Sequence, residues 1–178
     1  KEMKARVAPQ VLAGEKIHAL CITEPSGGSD VANLKTRAHR DGDHFVVNGS
    51  KMFITGGMRA DYYTVAVRTG GEGRKGVSLL LLERDMPGFT RTPLKKQGWW
   101  SSDTAALYFD DVRVPVENLI GEENKGFIGI MLNFNNERIG LASSANAYAR
   151  VCFEDALAWA RERRTFGQRL ADHQVIRH

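Results

Sequence analysis

The chain has 178 residues, 42% hydrophobic and 26% charged, the balance of a globular chain long enough to bury a core. Its net charge of +4 comes from interspersed bases and acids, with only Arg161-Glu162-Arg163-Arg164 forming a short cluster, so charge argues against a dedicated nucleic-acid surface. No apolar run approaches the roughly 20 residues that span a membrane, and neither the two cysteines nor the five histidines show disulfide-framework or metal-ligand spacing, so no membrane span or metal site is expected and a reducing compartment is.

Residues 1–16 read as the tail of a helix, interrupted at Pro9 and closed by Gly14, with no charged-then-apolar leader ahead of it. From Ile17 to about Asn124, β-branched and apolar runs alternate with turn signals at Asp41-Gly42-Asp43, Asn48-Gly49, Gly56-Gly57 and Gly70-Gly71. That is the pattern of antiparallel hairpins in a compact β-barrel or sandwich. Val77 to Leu82 is apolar on both faces and is predicted as a central strand covered on two sides, while Pro115 suits a strand end. Trp99-Trp100 reads first as a buried strand or interface anchor and second as a cap over a ligand edge. From about Lys125 the period becomes helical, with Phe127, Ile130, Met131 and Phe134 at helical spacing and an Ala-rich continuation to about Arg163. One helix on the order of 55 Å follows at 1.5 Å per residue. Gly167 is expected to stop it, with the cations of Arg163 and Arg164 near its negative pole, and a second helix is expected from about Ala171.

Two short runs carry the chemistry of the β region. In Cys21-Ile22-Thr23-Glu24-Pro25-Ser26-Gly27-Gly28-Ser29-Asp30 an apolar strand breaks at Pro25 and opens into Ser-Gly-Gly-Ser. Without side chains in the way, successive backbone N–H groups there can converge on an oxygen anion such as a phosphate. In Lys51-Met52-Phe53-Ile54-Thr55, strand alternation puts Phe53 and Thr55 on one face, an aromatic surface beside a hydroxyl. Together the runs read as a cradle for a flat, anionic cofactor. Taken singly, the first is more often an ordinary Gly/Ser turn and the second more often a plain half-buried strand.

Within the long helix, Asn133, Asn135, Asn136, Glu137 and Arg138 put polar groups on every side of about one turn. Glu137 has no cation at pairing distance along the helix, and Arg138 faces Phe134 and Ala142, so local helix support explains neither charge. A solvated turn and a functional one both remain open on the residues alone.

The ordered series Thr23-Glu24-Pro25 with Gly28-Ser29-Asp30, Asn48-Gly49-Ser50-Lys51 leading into Phe53-Ile54-Thr55, Asp110-Asp111-Val112-Arg113-Val114-Pro115, Gly121-Glu122-Glu123-Asn124-Lys125-Gly126-Phe127 and Arg163-Arg164-Thr165-Phe166-Gly167-Gln168 resembles the acyl-CoA dehydrogenases from one end of the chain to the other. Asn33 departs from the small residue usual in the family's first signature, and Phe53 stands where several relatives have Trp. The resemblance implies an α+β fold in which an antiparallel β-barrel precedes the first long helices of an α-helical bundle. Residues 1–16 would be the tail of an N-terminal helical domain, 17–124 the β-barrel that binds flavin and acyl-CoA, and 125–178 the start of the C-terminal bundle. It also implies a protein about twice this long.

What the resemblance implies about activity is oxidation of an acyl-CoA thioester to a trans-2-enoyl-CoA, with a base taking the α-proton while the β-hydride passes to N5 of FAD. In the isovaleryl and long-chain branch that base is a Glu immediately before an Arg on this helix, which makes Glu137 the candidate catalytic residue. FAD would be bordered by Leu20, Ile22 and Thr23, met at its pyrophosphate by Gly28 and Ser29, flanked by Phe53 and Ile54, and hydrogen-bonded near N5 by Thr55. Arg163, Phe166, His173 and Gln174 resemble the set that reaches the FAD of a neighbouring subunit, which implies a homo-oligomer, a tetramer built as a dimer of dimers. Ser29, Asn135 and Arg138 would contact the acyl-CoA, and an electron-transfer flavoprotein would take the electrons. A cytoplasmic site or the mitochondrial matrix suits this chemistry. Two rivals share the fold: an acyl-CoA oxidase, in which oxygen reoxidises the flavin, and a noncatalytic DNA-binding flavoprotein, against which Glu137 argues.

Overall fold

The structure, a computed structural model, describes residues 2–178, which fall into two compact units, one ending at Ile130 and one spanning Met131–His178. The first opens with α1 (Glu2–Leu12) and then holds β1 (His18–Cys21), β2 (Arg37–Asp41), β3 (His44–Thr55), β4 (Tyr62–Arg68), β5 (Val77–Glu83), β6 (Phe89–Pro93), β7 (Thr104–Pro115) and β8 (Leu119–Ile120). A helix α2 (Gly126–Glu162) runs from the first unit into the second, which ends in the short strands β9 (Arg164–Thr165) and β10 (Gln168–Arg169) and the one-turn helix α3 (Gln174–Arg177).

The strands form one sheet in the order β6-β7-β3-β2-β4-β5-β8, with β1 attached to β4. Most ladders are antiparallel, as the turn signals predict, and the α+β class follows. Two contacts are parallel: β1 lies along β4 from His18↔Tyr62 to Cys21↔Val65, and β2 meets β4 at Arg37↔Arg68. Among the described residues no ladder joins β6 to β8. The core gathers Phe45, Val47, Tyr63, Val65, Leu80, Leu82, Leu107, Phe109 and Val112 from the strands of this sheet. Its aromatic centre is Phe89, which meets Tyr63 edge-on at 4.8 Å and stacks on Phe109 at 5.1 Å, geometries that favour aromatic pairs. β5 is buried on both faces from Val77 to Leu82, as its unbroken apolar run predicts. Its outer side receives the start of α2: a Cβ at Gly126 would lie 2.8 Å from the Ser78 backbone, so only glycine lets the helix sit this close.

Several local expectations are corrected. Pro9 lies inside α1 without interrupting it; the Gln10 side-chain amide donates to the Arg6 carbonyl at 2.7 Å, meeting an acceptor on the turn that the proline disturbs. Asn48-Gly49 is no turn but a β-bulge within β3. Gly49 has φ 141°, a Cβ there would lie 2.7 Å from the Thr36 backbone, and the Asn48 amide pairs with Asp111 across the sheet. Trp99-Trp100 is neither buried nor on a strand: both rings are exposed on the loop before β7, where Lys96 Nζ donates to the carbonyls of Trp99 and Ser102. Gly167 does not stop α2, which ends at Glu162; with Phe166 it forms the two-residue turn of the β9–β10 hairpin, at φ 82° and 51°. The following helix starts at Gln174, three residues beyond the expected Ala171, after a short 3₁₀ turn over Leu170–Asp172.

The first unit is clasped by a buried ion pair. Lys51, fully buried on β3, places Nζ 2.9 Å from Glu24 Oε1 and 3.0 Å from the Ile22 carbonyl. Glu24 also accepts from the backbone N–H groups of Lys35 at 2.5 Å and Thr36 at 2.9 Å. Burial alone would push the Glu24 carboxyl up, but the Lys51 charge, its hydrogen bond and the two N–H groups overcome it and hold the carboxyl below its ordinary value. Burial pushes Lys51 down in turn, against the pull of Glu24. Lys51→Met strands a buried carboxylate without its counter-charge and should cost about 3–5 kcal/mol in urea unfolding, with most of that recovered in Glu24→Gln/Lys51→Met. Because the folded value of Glu24 is depressed, its stabilisation is present above the unfolded value of about 4.3 and is lost as pH falls through the lower folded value. The stability gap between wild type and Glu24→Gln should therefore narrow on acidification below about pH 4; a constant gap would contradict this assignment.

Candidate functional site

The ion pair brings the two chemical runs together. Between them Met52 N–H donates to the Thr23 carbonyl at 2.8 Å, so the segment after β1 lies against the middle of β3. Directly after Lys51 the β3–β7 register shifts, and Phe53 takes φ 61°. That bulge reverses the inside–outside alternation: Lys51 points in, Phe53 points out at 67% exposure, Ile54 returns to the core and Thr55 faces out. Phe53 and Thr55 thus do share the open side. Without the bulge, Phe53 would share the buried side of Lys51. A bulky residue at positive φ is a strained conformation, and here it displays an aromatic ring to solvent.

Beyond Glu24, the chain makes a tight turn in which Glu24 and Gly27 exchange backbone hydrogen bonds at 3.0 and 3.1 Å. Gly28 then passes so close to Thr23 that a Cβ would lie 3.1 Å from its methyl and 3.3 Å from its hydroxyl. Gly28 and Ser29 are exposed, and among the described residues no protein acceptor takes their N–H groups. A concavity of about 290 Å³ opens here, lined by Ile22, Ser26, Gly28, Val31 and Lys35 among others. Unclaimed amide donors over a glycine backbone, a lysine beside them and an outward aromatic ring fit a cofactor with a phosphate and a flat ring system. Asp30 also borders the concavity, with its carboxylate held by the Asn33 amide at 2.6 Å.

Of the residues expected to border a cofactor, Leu20 is half-buried on β1, Ile22 is buried at the wall of the concavity, and Ile54 turns its side chain into the core, so that Ile54 can offer a ligand its backbone only. Sequence reasoning missed Asp103, which accepts from Met58 N–H at 2.7 Å and Arg59 Nε at 2.7 Å and fixes the turn after Thr55 to the start of β7. Its signal was a lone acid preceding a strand. It missed too that Glu24 and Lys51 pair, although a lone lysine in an apolar strand already needs a buried partner.

The second unit gathers the other candidates in two places. On α2, the Asn133 amide donates to Glu137 Oε1 at 2.6 Å, one turn away, leaving the other carboxylate oxygen open. Arg138 donates to Asn135 Oδ1 at 3.1 Å and lies over the Phe134 ring at 5.8 Å, the neighbour expected from helical spacing. At the far end, His173 lies 3.1 Å from the Thr165 hydroxyl and 3.0 Å from the Gln168 amide, and meets Phe166 edge-on at 6.3 Å. Phe166 is 98% exposed at φ 51°, a second aromatic ring presented on strained backbone. The Arg163 carbonyl accepts from Leu170 N–H, which ties the hairpin back to the helix end, and Gln174 opens α3.

Among the described residues, no group of His, Cys, Asp or Glu is arranged to hold a metal, and no helix is long and apolar enough to cross a membrane. Cys21 is buried and Cys152 exposed, both as free thiols. Comparison with known proteins matches residues 19–112 to the acyl-CoA dehydrogenase middle domain and residues 124–178 to the acyl-CoA dehydrogenase C-terminal domain. Acyl-CoA dehydrogenase AFT10-1 of Alternaria alternata is 49% identical over 177 residues, covering 99% of this chain and 41% of that protein. The mitochondrial long-chain specific acyl-CoA dehydrogenase of Rattus norvegicus is 40% identical over 182 residues, covering 100% of this chain and 42% of that protein. Among solved structures, a probable acyl-CoA dehydrogenase from Mycobacterium abscessus superposes with a TM-score of 0.98 at 54% identity, covering 100% of this chain and 48% of that one. The chain therefore spans less than half the length of these relatives. With both of its segments matched in order, a sheet of the same architecture and a glycine cradle facing outward, the chain belongs to the acyl-CoA dehydrogenase family of flavin oxidoreductases.

Proposed function

We propose that the protein carries out α,β-dehydrogenation of an acyl-CoA thioester to the trans-2-enoyl-CoA, with FAD as its cofactor. The observation that supports this most directly is what flanks the Lys51–Glu24 ion pair: unclaimed N–H groups at Gly28 and Ser29 after Glu24, and the outward Phe53 and Thr55 after Lys51. In this reading Leu20, Ile22, Thr23, Phe53, Ile54 and Thr55 hold the flavin end of FAD, and Gly28 and Ser29 its pyrophosphate. Bound FAD supplies the acceptor for the β-hydride.

The chain's own contribution to the chemistry is the base. Glu137 takes the α-proton, and the electron pair left at Cα closes the double bond as the β-hydrogen departs with its pair. The Asn133 amide fixes one carboxylate oxygen, so the other is presented in a defined rotamer. Asn135 and Arg138, already bonded to each other, are the acyl-CoA contacts of α2 in this reading, and Ser29 is that of the first unit. The Glu-Arg dipeptide supports assignment to the branch with its base on this helix, in keeping with the long-chain specific relative.

Arg163, Phe166, His173 and Gln174 form the face that reaches a neighbouring subunit's FAD, where the planar fork of Arg163 suits a pyrophosphate. Cofactor retention then requires the oligomer, a tetramer, and an electron-transfer flavoprotein is the acceptor, a context in which one structural neighbour of 37% identity was solved. The free thiols Cys21 and Cys152 suit the reducing setting of the cytoplasm or the mitochondrial matrix.

Glu137→Gln in the full-length, flavin-loaded protein should slow anaerobic flavin bleaching by acyl-CoA by at least about 10²–10⁴-fold while FAD stays bound. Near-normal bleaching would overturn the assignment. Arg163→Ala should lower FAD content per subunit on gel filtration; a monomer with tightly held FAD, seen by sedimentation and flavin absorbance, would rule out the shared site.

A further inference from the structure

Where α2 begins, three polar side chains close a ring of hydrogen bonds that has no part in the cradle. Asn124 N–H donates to the Ser78 hydroxyl at 2.7 Å, the Ser78 and Thr69 hydroxyls lie 2.5 Å apart, and the Thr69 hydroxyl donates to Asn124 Oδ1 at 2.9 Å. Since the one hydrogen of the Thr69 hydroxyl goes to Asn124, Ser78 is the donor between the two hydroxyls. Every member therefore gives one hydrogen bond and takes one. Ser78 is fully buried on β5, Thr69 follows β4 and Asn124 stands just ahead of Gly126, so the ring ties the start of the helix to the β4–β5 pair.

Close packing surrounds the ring. Asn124 holds φ 64°, a conformation that asparagine tolerates better than most residues, and a Cβ at Gly70 would lie 2.5 Å from its Oδ1. The helix then lies on β5 through one face: Gly126 against the Ser78 backbone, Gly129 with room for a Cβ 3.5 Å from Leu79 Cδ1, and Ile130 buried. Glu137 follows Gly126 by 11 residues and Ile130 by seven, each within about 20° of a whole number of turns. It therefore leaves α2 on the same face of the helix that makes these contacts. A slip of one residue at the start of the helix would swing it by about 100°.

Resting on the dehydrogenase reading above, we propose that Thr69, Ser78 and Asn124 are positioning residues for the base: their ring sets the starting point and rotation of α2, and the helix carries that rotation to Glu137. The three act on the α-proton through the helix, not by contact. A closed ring of satisfied donors and acceptors suits this task, because directional bonds fix a rotation that the apolar contact of Ile130 leaves free.

The test compares Thr69→Val, which removes the hydroxyl at nearly constant shape, with Thr69→Ser, which keeps it, in the full-length, flavin-loaded protein. Asn124→Gly joins them, because glycine accepts the same φ while deleting Oδ1. Thr69→Val and Asn124→Gly should slow flavin bleaching at saturating acyl-CoA by about 10- to 100-fold, with FAD content and the half-saturating concentration unchanged. Deuterium at the α-carbon should slow these variants more than it slows wild type, as proton removal becomes the slow step, and Thr69→Ser should restore most of the rate. A ring with a merely structural role would lower the urea midpoint of Thr69→Val and leave the bleaching rate of the folded protein as it was; that result, or a rate lost equally in Thr69→Ser, overturns the proposal. Amide hydrogen exchange along the first turns of α2 reads the hold on the helix without turnover and should quicken about tenfold in Thr69→Val. Failure of the wild type to bleach with any acyl-CoA would instead sink the dehydrogenase reading, and unchanged exchange would then overturn the ring's hold on α2 by itself.

Discussion

The arrangement of the first unit depends on one buried charge pair. Lys51 comes from the middle of β3 and Glu24 from the segment after β1, and neither could stay charged there alone, because an isolated charge in a low-dielectric interior carries a penalty of several kcal/mol. Each is satisfied several times over, Lys51 by a carboxylate and the Ile22 carbonyl, Glu24 by an ammonium and two backbone N–H groups. A hydrophobic pair of equal volume could match its stability but could not direct three separate backbone groups. The pair therefore acts as a positioning device: it fixes where the glycine turn leaves β1, where the bulge begins on β3 and which way the residues after Leu34 face.

Strain accompanies display in both units. Phe53 and Phe166 sit at positive φ, which costs a bulky residue of order 1–3 kcal/mol, and both rings point out of the protein. The two devices differ. Phe53 is turned outward by a bulge in a long ladder, whereas Phe166 occupies the first central position of a two-residue hairpin, where a smaller residue would be more comfortable. A chain that accepts strain to expose an aromatic ring gains nothing for its own stability, and a stacking surface for a ligand is the physical use that fits the family.

The helix α2 raises a separate constraint. Over 37 residues it exposes Ile139, Leu141, Tyr148, Val151, Phe153 and Trp159, spread around its circumference and not along one stripe. A helix apolar all round belongs inside a bundle, since propensity alone does not hold so long a rod in water. The polar turn from Asn133 to Arg138 interrupts that surface, and its members bond mainly to one another: Asn133 to Glu137, Asn135 to Arg138. Self-contained pairing keeps these groups satisfied however apolar their surroundings become, and it leaves one oxygen of Glu137 without an internal donor.

How much of this was legible in the sequence follows from the range of the forces involved. Features governed by neighbours in the chain read correctly: the all-buried run of β5, the Gly42 turn, the strand end at Pro115, the switch to helical period after Lys125. Features decided by a distant partner did not. Asn48-Gly49 carries the strongest local turn signal, yet the segment stays in β3, because Asp111 claims both ends of the Asn48 amide and Thr36 packs where a Cβ of residue 49 would go. Alternation places Phe53 and Thr55 on one face, as found, but which face that is depends on the register shift between Lys51 and Ile54. The Phe166-Gly167 hairpin reads in sequence as a helix stop because a glycine at positive φ serves either turn, and only the ladder from Arg164 to Arg169 distinguishes them. For the site, the glycine turn and the Phe53–Thr55 run are visible as motifs, whereas the clasp joins position 51 on β3 to position 24 in the segment after β1. Such a pairing leaves no periodic trace; its one local sign is a charge standing where a strand calls for an apolar residue.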